Sequence, residues 1–364
     1  MSTPLKTIRA YFSRIFTRIT GLVSDDIGID LGTANTLVYV AGRGIVLNEP
    51  SIVALNQKTG QVVAVGTDAK KMLGRTPAHI VAIQPLIDGV ISDFEVTEEM
   101  LGYLIRKAQG GKTHLLGPRV VVGVPSGITS VEVRAVQDAA RNAGAREVYI
   151  VEEPMAAAIG IRLPVHEASG SMVVDIGGGT TDIGITSLGG LVSSKNVRVA
   201  GDKLDEDITN YIRSEFKILI GRKSAEDLKI AAAAVLESDV PLEATVRGRD
   251  LVTGLPREVV ITDSDIREAI MGSIEILIDA AKEVLETAPP EVVSDVMARG
   301  VYLAGGGAQI RGLAELLSEA LGIPVYVATD PLTTVVRGTG LILEDMERYR
   351  ETLITYSHEL SPTE

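Results

Sequence analysis

Val173-Val174-Asp175-Ile176-Gly177-Gly178-Gly179-Thr180-Thr181-Asp182-Ile183-Gly184-Ile185 sets an acid, three adjacent glycines and two small hydroxyl residues between apolar runs. Three glycines in a row let the backbone approach a ligand closely and point several N–H groups into one concavity, which holds an anion without any side chain. A carboxylate just ahead of them can hold a cation against that anion. The element that has to position this chemistry is a hairpin: an apolar strand, a tight turn and a strand running back. Such glycines can also serve the turn alone, so a second copy carries the argument. Asp26-Ile27-Gly28-Ile29-Asp30-Leu31-Gly32-Thr33-Ala34-Asn35-Thr36-Leu37-Val38 repeats the layout. Aligned on Asp30 and Asp175, both copies read Asp-aliphatic-Gly, and a repeat over half a chain length predicts two similar domains facing each other. Two phosphate hairpins and two acids predict a nucleotide clamped between them.

Other stretches add to this chemistry. Val301-Tyr302-Leu303-Ala304-Gly305-Gly306-Gly307-Ala308 is a third strand-to-glycine turn, where a planar base can lie against the backbone. Glu147–Val151 reads as a strand delivering Glu152-Glu153-Pro154, with Pro154 suited to the first turn of the Ala-rich helix Met155–Gly160. A carboxylate between a strand end and a helix start commonly faces a cleft. Glu153 is therefore a candidate to orient a water; a solvated acid stabilised by the helix dipole is the alternative. Gly110-Gly111-Lys112-Thr113 imitates a phosphate loop, but the pattern needs glycine where Arg106 stands, so it is set aside.

The rest of the chain supplies elements to hold these turns. Arg119–Val124 is apolar after its first residue, as for a strand covered on both faces. Asp93 to Gln109 reads as a helix with Thr97 as candidate N-cap, and Thr129-Ser130-Val131-Glu132 is a capping box opening a helix that ends at Ala143. Short strands between Ile45 and Val65 look like a small inserted subdomain. Gly201 to Ile220 reads as a helix, followed by one from Ser224, strands at Leu242–Val246 and Glu258–Ile261, and a long helix from Thr262 to about Thr287. Then come the helix Ile310–Leu321, a return to the sheet over Tyr326–Val336, and a final helix starting at Gly338-Thr339-Gly340.

A chain of 364 residues, 45% apolar and 23% charged, is long enough for two globular domains. It has no Cys, hence no disulfide, thiolate nucleophile or Cys-based metal site, which fits a reducing compartment. Its four His are scattered without ligand spacing, and a net charge of −13 argues against a nucleic-acid binder. That charge is unevenly placed, because residues 1–24 carry Lys6, Arg9, Arg14 and Arg18 and no acid. On a helical wheel Leu5, Ile8, Phe12, Ile15, Phe16 and Ile19 share one face with the bases outside it, the pattern of a helix lying in a membrane interface. A helix packed on its own protein or on a partner would show the same stripe. Leu115-Leu116, before Gly117-Pro118, is a candidate second membrane contact or a buried loop anchor.

Five segments resemble, in type, order and spacing, the superfamily of actin, sugar kinases and DnaK-type chaperones: Asp26–Val38, Val151–Gly160, Val173–Ile185, Val301–Ala308 and Val336–Leu341. Over roughly residues 25–345 the chain is most similar to the MreB family of bacterial actin-like cytoskeletal proteins, through Ile27–Val40, Gly44–Pro50, Gly123–Thr129, Glu152–Gly160, Val174–Thr181 and Val246–Pro256. The resemblance implies an α/β actin-like duplicated ATPase fold: two domains with mixed sheets flanked by helices, a nucleotide cleft between them and a small subdomain inserted in each. The expected division is a membrane helix at 1–24, domain IA at 25–53, 87–166 and 336–350, subdomain IB at 54–86, domain IIA at 167–202 and 267–335, subdomain IIB at 203–266, and a polar tail at 351–364.

The resemblance also implies roles. Asp30 and Asp175 match the acids that hold Mg²⁺ largely through water, as suits a reluctantly dehydrated cation. Gly32, Thr33, Ala34 and Asn35 match one half of a phosphate cradle, and Gly177, Gly178 and Gly179 the other. Glu153 and Thr180 match the pair that positions the attacking water, Glu226 and Lys229 match residues near ribose and adenine, and Gly305, Gly306 and Gly307 match the adenine-side turn. The implied function is binding and slow hydrolysis of ATP or GTP coupled to self-assembly into antiparallel double filaments. These would lie on anionic lipid at the cytoplasmic face of the membrane and meet cell-wall elongation proteins, organising rod shape. A nucleotide-binding scaffold with little hydrolysis and a soluble phosphotransferase or chaperone ATPase are the alternatives; only roughly 25 residues follow Gly340, too few for a chaperone's substrate domain. Three departures bear on affinity and turnover: Asp182 where the family usually has Glu, Gly221-Arg222-Lys223 where Gly-Glu-Arg is expected, and the uniform Ala231–Ala234.

Overall fold

A computed structural model describes residues 25–110, 116–237 and 240–354. Residues 1–24, with the amphipathic stripe, and Leu115 lie outside the described residues.

The repeat seen in sequence is a repeat of whole sheets. The first sheet has the order Glu147–Glu152, Arg119–Val124, Ile27–Leu31, Asn35–Val40, Gly44–Pro50. The second has the order Val325–Val327, Val301–Ala304, Ser171–Ile176, Thr181–Ser187, Gly190–Val197. In each, the acid-bearing strand pairs antiparallel with its hairpin partner on one side and parallel with a later strand on the other. Asp30 lies beside Leu37 and Gly123, and Asp175 beside Asp182 and Ala304, so the two acids hold the same place in the same ladder. Ser171–Ile176 is buried at every residue, as its apolar run requires once helices cover both faces.

Each sheet has its own core, and a third cluster joins them: Val121 and Val151 from the first sheet, Val173 and Ala304 from the second, and the helices Glu153–Gly160 and Thr334–Glu344. These two helices cross with their backbones in contact. A Cβ on Gly160 would stand 1.9 Å from the Thr334 carbonyl oxygen, and one on Gly338 would stand 1.8 Å from that of Ala156. Only glycine permits this approach. Two small three-stranded sheets and a short hairpin, Leu86–Ile87 with Val90–Ile91, complete the sheets of the described residues. One, Val53–Asn56 with Val62–Val65 and Ile80–Ile83, carries the helix Thr67–Met72; the other, Ile218–Leu219 with Glu243–Asp250 and Pro256–Thr262, packs against the helix Arg222–Ala232.

Several local expectations are corrected. Asp93, not Thr97, caps the helix Phe94–Ala108: its carboxylate accepts from Val96 N, while the buried Thr97 hydroxyl donates back to the Asp93 carbonyl. The helix from Gly201 stops at Glu215, because Lys217 turns left-handed and Ile218–Leu219 pairs with Arg249–Asp250. The next helix starts at Arg222 rather than Ser224, and Gly306–Gln309 forms a 3-10 turn ahead of Leu313–Leu321. Where a strand is expected over Tyr326–Val336, pairing is confined to Val325–Val327, and Gly338-Thr339-Gly340 lies inside the last long helix, where the crossing needs small residues. The capping box at Thr129 is formed as the sequence predicts, and the long helix opens at Thr262 as expected, where a second box with Asp265 caps it.

Candidate functional site

The two hairpin turns meet face to face. A Cβ on Gly178 would stand 2.5 Å from Ala34 Cβ, and one on Gly179 would stand 2.6 Å from Thr33 Oγ1. Each turn is fixed from behind. Ser51 Oγ donates to the Gly32 carbonyl at 2.6 Å, and Gly89 N donates to Thr33 Oγ1 at 2.9 Å. On the other side Gly177 N donates to the Thr180 carbonyl, while Gly201 N and Asp202 N, opening the helix Gly201–Glu215, donate to the carbonyls of Gly177 and Gly178 at 3.1 and 2.7 Å. With those carbonyls engaged, the amides of Thr33, Ala34, Gly178 and Gly179 donate to no backbone acceptor among the described residues. They form an open double cradle of the kind that takes phosphate oxygens.

A cavity of about 550 Å³ lies between the sheets, and every candidate site residue in the described segments except the loop residue Leu116 lines it: Asp30, Gly32–Asn35, Glu153, Asp175, Gly177–Thr180, Glu226, Lys229 and Gly305–Gly307. Leu116 is 47% exposed elsewhere on the surface. The cavity has a polar end and an apolar end. Leu332 approaches Gly306, and Ile230 and Ala233 contribute to the wall beside Lys229, a surface suited to a planar base. The Gly305 turn packs on the strand carrying Asp175, since a Cβ there would stand 2.3 Å from the Ile176 carbonyl oxygen and 2.5 Å from Asp175 Oδ1.

The polar end is electrostatically incomplete. Burial raises the Asp30 carboxyl from 3.8 to about 7. Burial also lifts Asp175 well above the carboxylate range, with repulsion from Asp30 and Asp182 adding to it. Glu153 is pushed up by burial and then by Asp182, Asp30 and Asp175. Acids crowded in a poorly solvated place favour the neutral form unless a cation joins them. No group of three acidic or histidine side chains among the described residues can enclose an ion directly. A cation here would therefore keep much of its water and share phosphate oxygens, which fits Mg²⁺ and the open amides beside it.

Sequence reasoning missed several parts. Asp202 and Asp205 line the cavity; Lys229 Nζ is held by Asp205 Oδ1 and by the Gly201 carbonyl, both at 2.8 Å. Lys70, on the helix Thr67–Met72, reaches Glu226 with its Nζ 3.1 and 3.0 Å from the two carboxylate oxygens. No local signal marks such a pair. Gly89 was missed too, although a local signal marks it: Asp88-Gly89 turns with both φ values positive between Leu86–Ile87 and Val90–Ile91, a familiar Asp-Gly hairpin signature. Asp182 does not line the cavity. It is 1% exposed and accepts from Ser126 N, Ser126 Oγ and Asn196 Nδ2 at 2.6, 2.9 and 2.8 Å, tying the loop after Arg119–Val124 to the second sheet.

Twin sheets of identical connectivity, with paired acid-and-glycine hairpins meeting across one cleft, define an actin-like protein. The family model described as MreB/Mbl protein matches residues 24–351. The cell shape-determining protein Mbl of Bacillus subtilis is 50% identical over 323 residues, 89% of this chain and 97% of that protein. The cell shape-determining protein MreB of Escherichia coli is 51% identical over 336 residues, 91% and 97% of the two chains. Among solved structures, MreB5 of Spiroplasma citri bound to ADP superimposes with a TM-score of 0.85 at 37% identity, covering 91% of this chain and 99% of that one. The chain belongs to the MreB/Mbl family. A MamK double helical filament subunit, with a TM-score of 0.76 at 24% identity, shares the fold.

Proposed function

We propose that this chain is a cytoskeletal ATPase of the cell-shape class, which binds ATP or GTP with Mg²⁺ in the cleft, hydrolyses it slowly and assembles with copies of itself. The observation that carries this reading is the convergence of two acids and two open amide cradles, one of each from each sheet, on a single cleft. The relatives support it: MreB5 of Spiroplasma citri is described bound to ADP and to AMPPNP, and MamK as a double helical filament.

In this reading Thr33, Ala34, Gly178 and Gly179 bind phosphate oxygens through their amides, and Asp30 and Asp175 orient the hydrated ion. The ion would neutralise charge that develops on the phosphoryl group. Gly305–Gly307, with Leu332 and Ile230, would hold the base, while Glu226 and Lys229 hold the sugar side. Glu153 and Thr180 would orient the attacking water, so that positioning and electrostatics supply most of the rate. Burial and the neighbouring acids raise the Glu153 carboxyl, so without a cation its neutral form is favoured and it is a weaker acceptor for the proton of the attacking water. This feature favours slow turnover, and the scaffold with little hydrolysis is its limiting case.

The domain division given above belongs to this proposal, as do the position on the inner membrane face, the antiparallel pairing of filaments and the cell-wall partners. The basic, amphipathic segment before Asp25 supports membrane attachment, and repetition along a polymer would let each weak helix act with its neighbours. No helix among the described residues is long and apolar enough to cross a membrane.

The test is negative-stain microscopy of the full-length chain with anionic liposomes, with and without Mg-ATP. Paired filaments on the vesicles, strengthened by nucleotide, are expected. Protein that binds vesicles without assembling at micromolar concentration would favour the scaffold. Protein that does neither would return the soluble-ATPase alternative.

A further inference from the structure

The cleft is bridged by side chains from the helices and a loop attached to the two small sheets. Glu226 lies on the helix Arg222–Ala232, lines the cavity, and has both oxygens on Lys70 Nζ, which comes from the helix Thr67–Met72 on the opposite side. One turn earlier on the same helix, Arg222 donates through one nitrogen to Gln84 Oε1 at 2.7 Å, again across the cleft. Its other terminal nitrogen meets Asp202 Oδ2 at 2.6 Å, so the arginine is anchored on its own side and reaches over with its free edge. Residues four apart share a helix face, so both crossings leave one face of one short helix.

Two consequences follow from the chemistry. Glu226 faces two claims, because the same carboxylate is placed to accept from sugar hydroxyls and is held by Lys70. The crossings also join the two small subdomains beside a cavity that Glu226 and Asp202 line, so they would stand in the way of a ligand leaving on that side. The Lys70 and Glu226 side chains are 35% and 34% exposed, so the pair is partly screened and easily reopened rather than permanent.

We propose that Lys70 and Arg222 form a two-point latch over the cleft, which aligns Glu226 and sets the rate at which bound nucleotide leaves. The inference rests on the nucleotide reading of the cleft. It makes Arg222, one of the departures from the expected Gly-Glu-Arg, a second crossing in series with the Lys70 pair.

The experiment measures release of a fluorescent Mg-nucleotide, chased by excess unlabelled ATP, from the full-length protein and from Lys70→Met, Arg222→Met and the double variant. Loss of one partly exposed charged crossing is expected to speed release about two- to fivefold, and loss of both about four- to twenty-fivefold. Added salt should accelerate the wild type more than the double variant, since only the former has crossings to screen. The chain has no cysteine, so Gln84→Cys with Arg222→Cys can be loaded with nucleotide and joined by a cleavable bismaleimide. The joined protein should hold its nucleotide and release it once the linker is cut, and because the same variant is compared joined and cut, its lost Arg222 charge is common to both states. Variants that release at the wild-type rate, or a joined protein that releases as fast as the unjoined one, overturn the latch while leaving the nucleotide reading standing. A wild type that binds no Mg-nucleotide overturns both.

Discussion

Asp30, Asp175 and Glu153 crowd the polar end of the cleft, so the site's acid–base behaviour and its ligand affinity have one physical origin. Folding raises Asp30 from 3.8 to about 7, so between those values the folded chain keeps a proton that the unfolded chain gives up. Stability from this source is full below pH 4 and is lost as pH rises through about 7. The melting temperature of the nucleotide-free protein should therefore fall between pH 5 and pH 8, and Mg-nucleotide should flatten that fall by supplying the missing cation. A melting temperature independent of pH in both states would contradict the crowding. Asp175→Asn should raise the nucleotide-free melting temperature at pH 8 yet weaken Mg-nucleotide binding by about tenfold or more, because the charged partner of the ion is gone. Asp182 acts differently. Replacing it by Ala strips Ser126 N and Asn196 of their acceptor in a buried place, and about 2–4 kcal/mol of stability should go with them, read by urea denaturation. The acid-glycine hairpins were legible because they are local and occur twice. Asp182 read in sequence as a substitution beside the ligand, and only the fold reveals it as a tie between the two halves.

At the level of elements, the crossing of Glu153–Gly160 with Thr334–Glu344 is the most demanding contact in the molecule. In a free helix, Gly338→Ala would gain about 1 kcal/mol from propensity. Here the new methyl would lie 1.8 Å from the Ala156 carbonyl oxygen, which cannot retreat, so a net loss of about 2–3 kcal/mol is expected. Gly272 is the matching control. It lies in the long helix Asp263–Thr287 with nothing within 4 Å of an added Cβ, and Gly272→Ala should stabilise by up to about 1 kcal/mol. Opposite signs in the two denaturation curves would establish that the crossing, not helix propensity, dictates Gly338. The same contact explains why sequence reading misplaced the start of the last long helix. Glycines ordinarily punctuate helices, whereas here a helix passes through them because another backbone lies alongside. The buried strands and the helix starts at Thr129 and Thr262, whose signals are local, were read close to their true positions.

For the whole molecule, the duplicated sheets and the cleft between them were foreseeable, since a repeated hairpin implies a repeated sheet. The pairing of Lys70 with Glu226 was not, because residues 156 apart meet only after both halves have folded. Attachment to a membrane is a prediction at this scale. Phe12→Glu combined with Ile15→Glu should release the protein from anionic liposomes in a flotation assay, and retention of the variant would locate the anchor elsewhere, with Leu115 and Leu116 the next to change. The helix crossing also has a mechanical consequence. Where Gly160 and Gly338 let two backbones touch, the two helices cannot slide past each other, and the relative motion left to them is rotation about that point. Such a rotation would make the crossing a fulcrum beside the cleft, whose wall Thr334 and Val335 share. On the nucleotide reading, a small change of angle enforced at the phosphate turns would be magnified at the far rim, and a ligand of a few atoms would then reshape the outer surface that a neighbouring subunit meets.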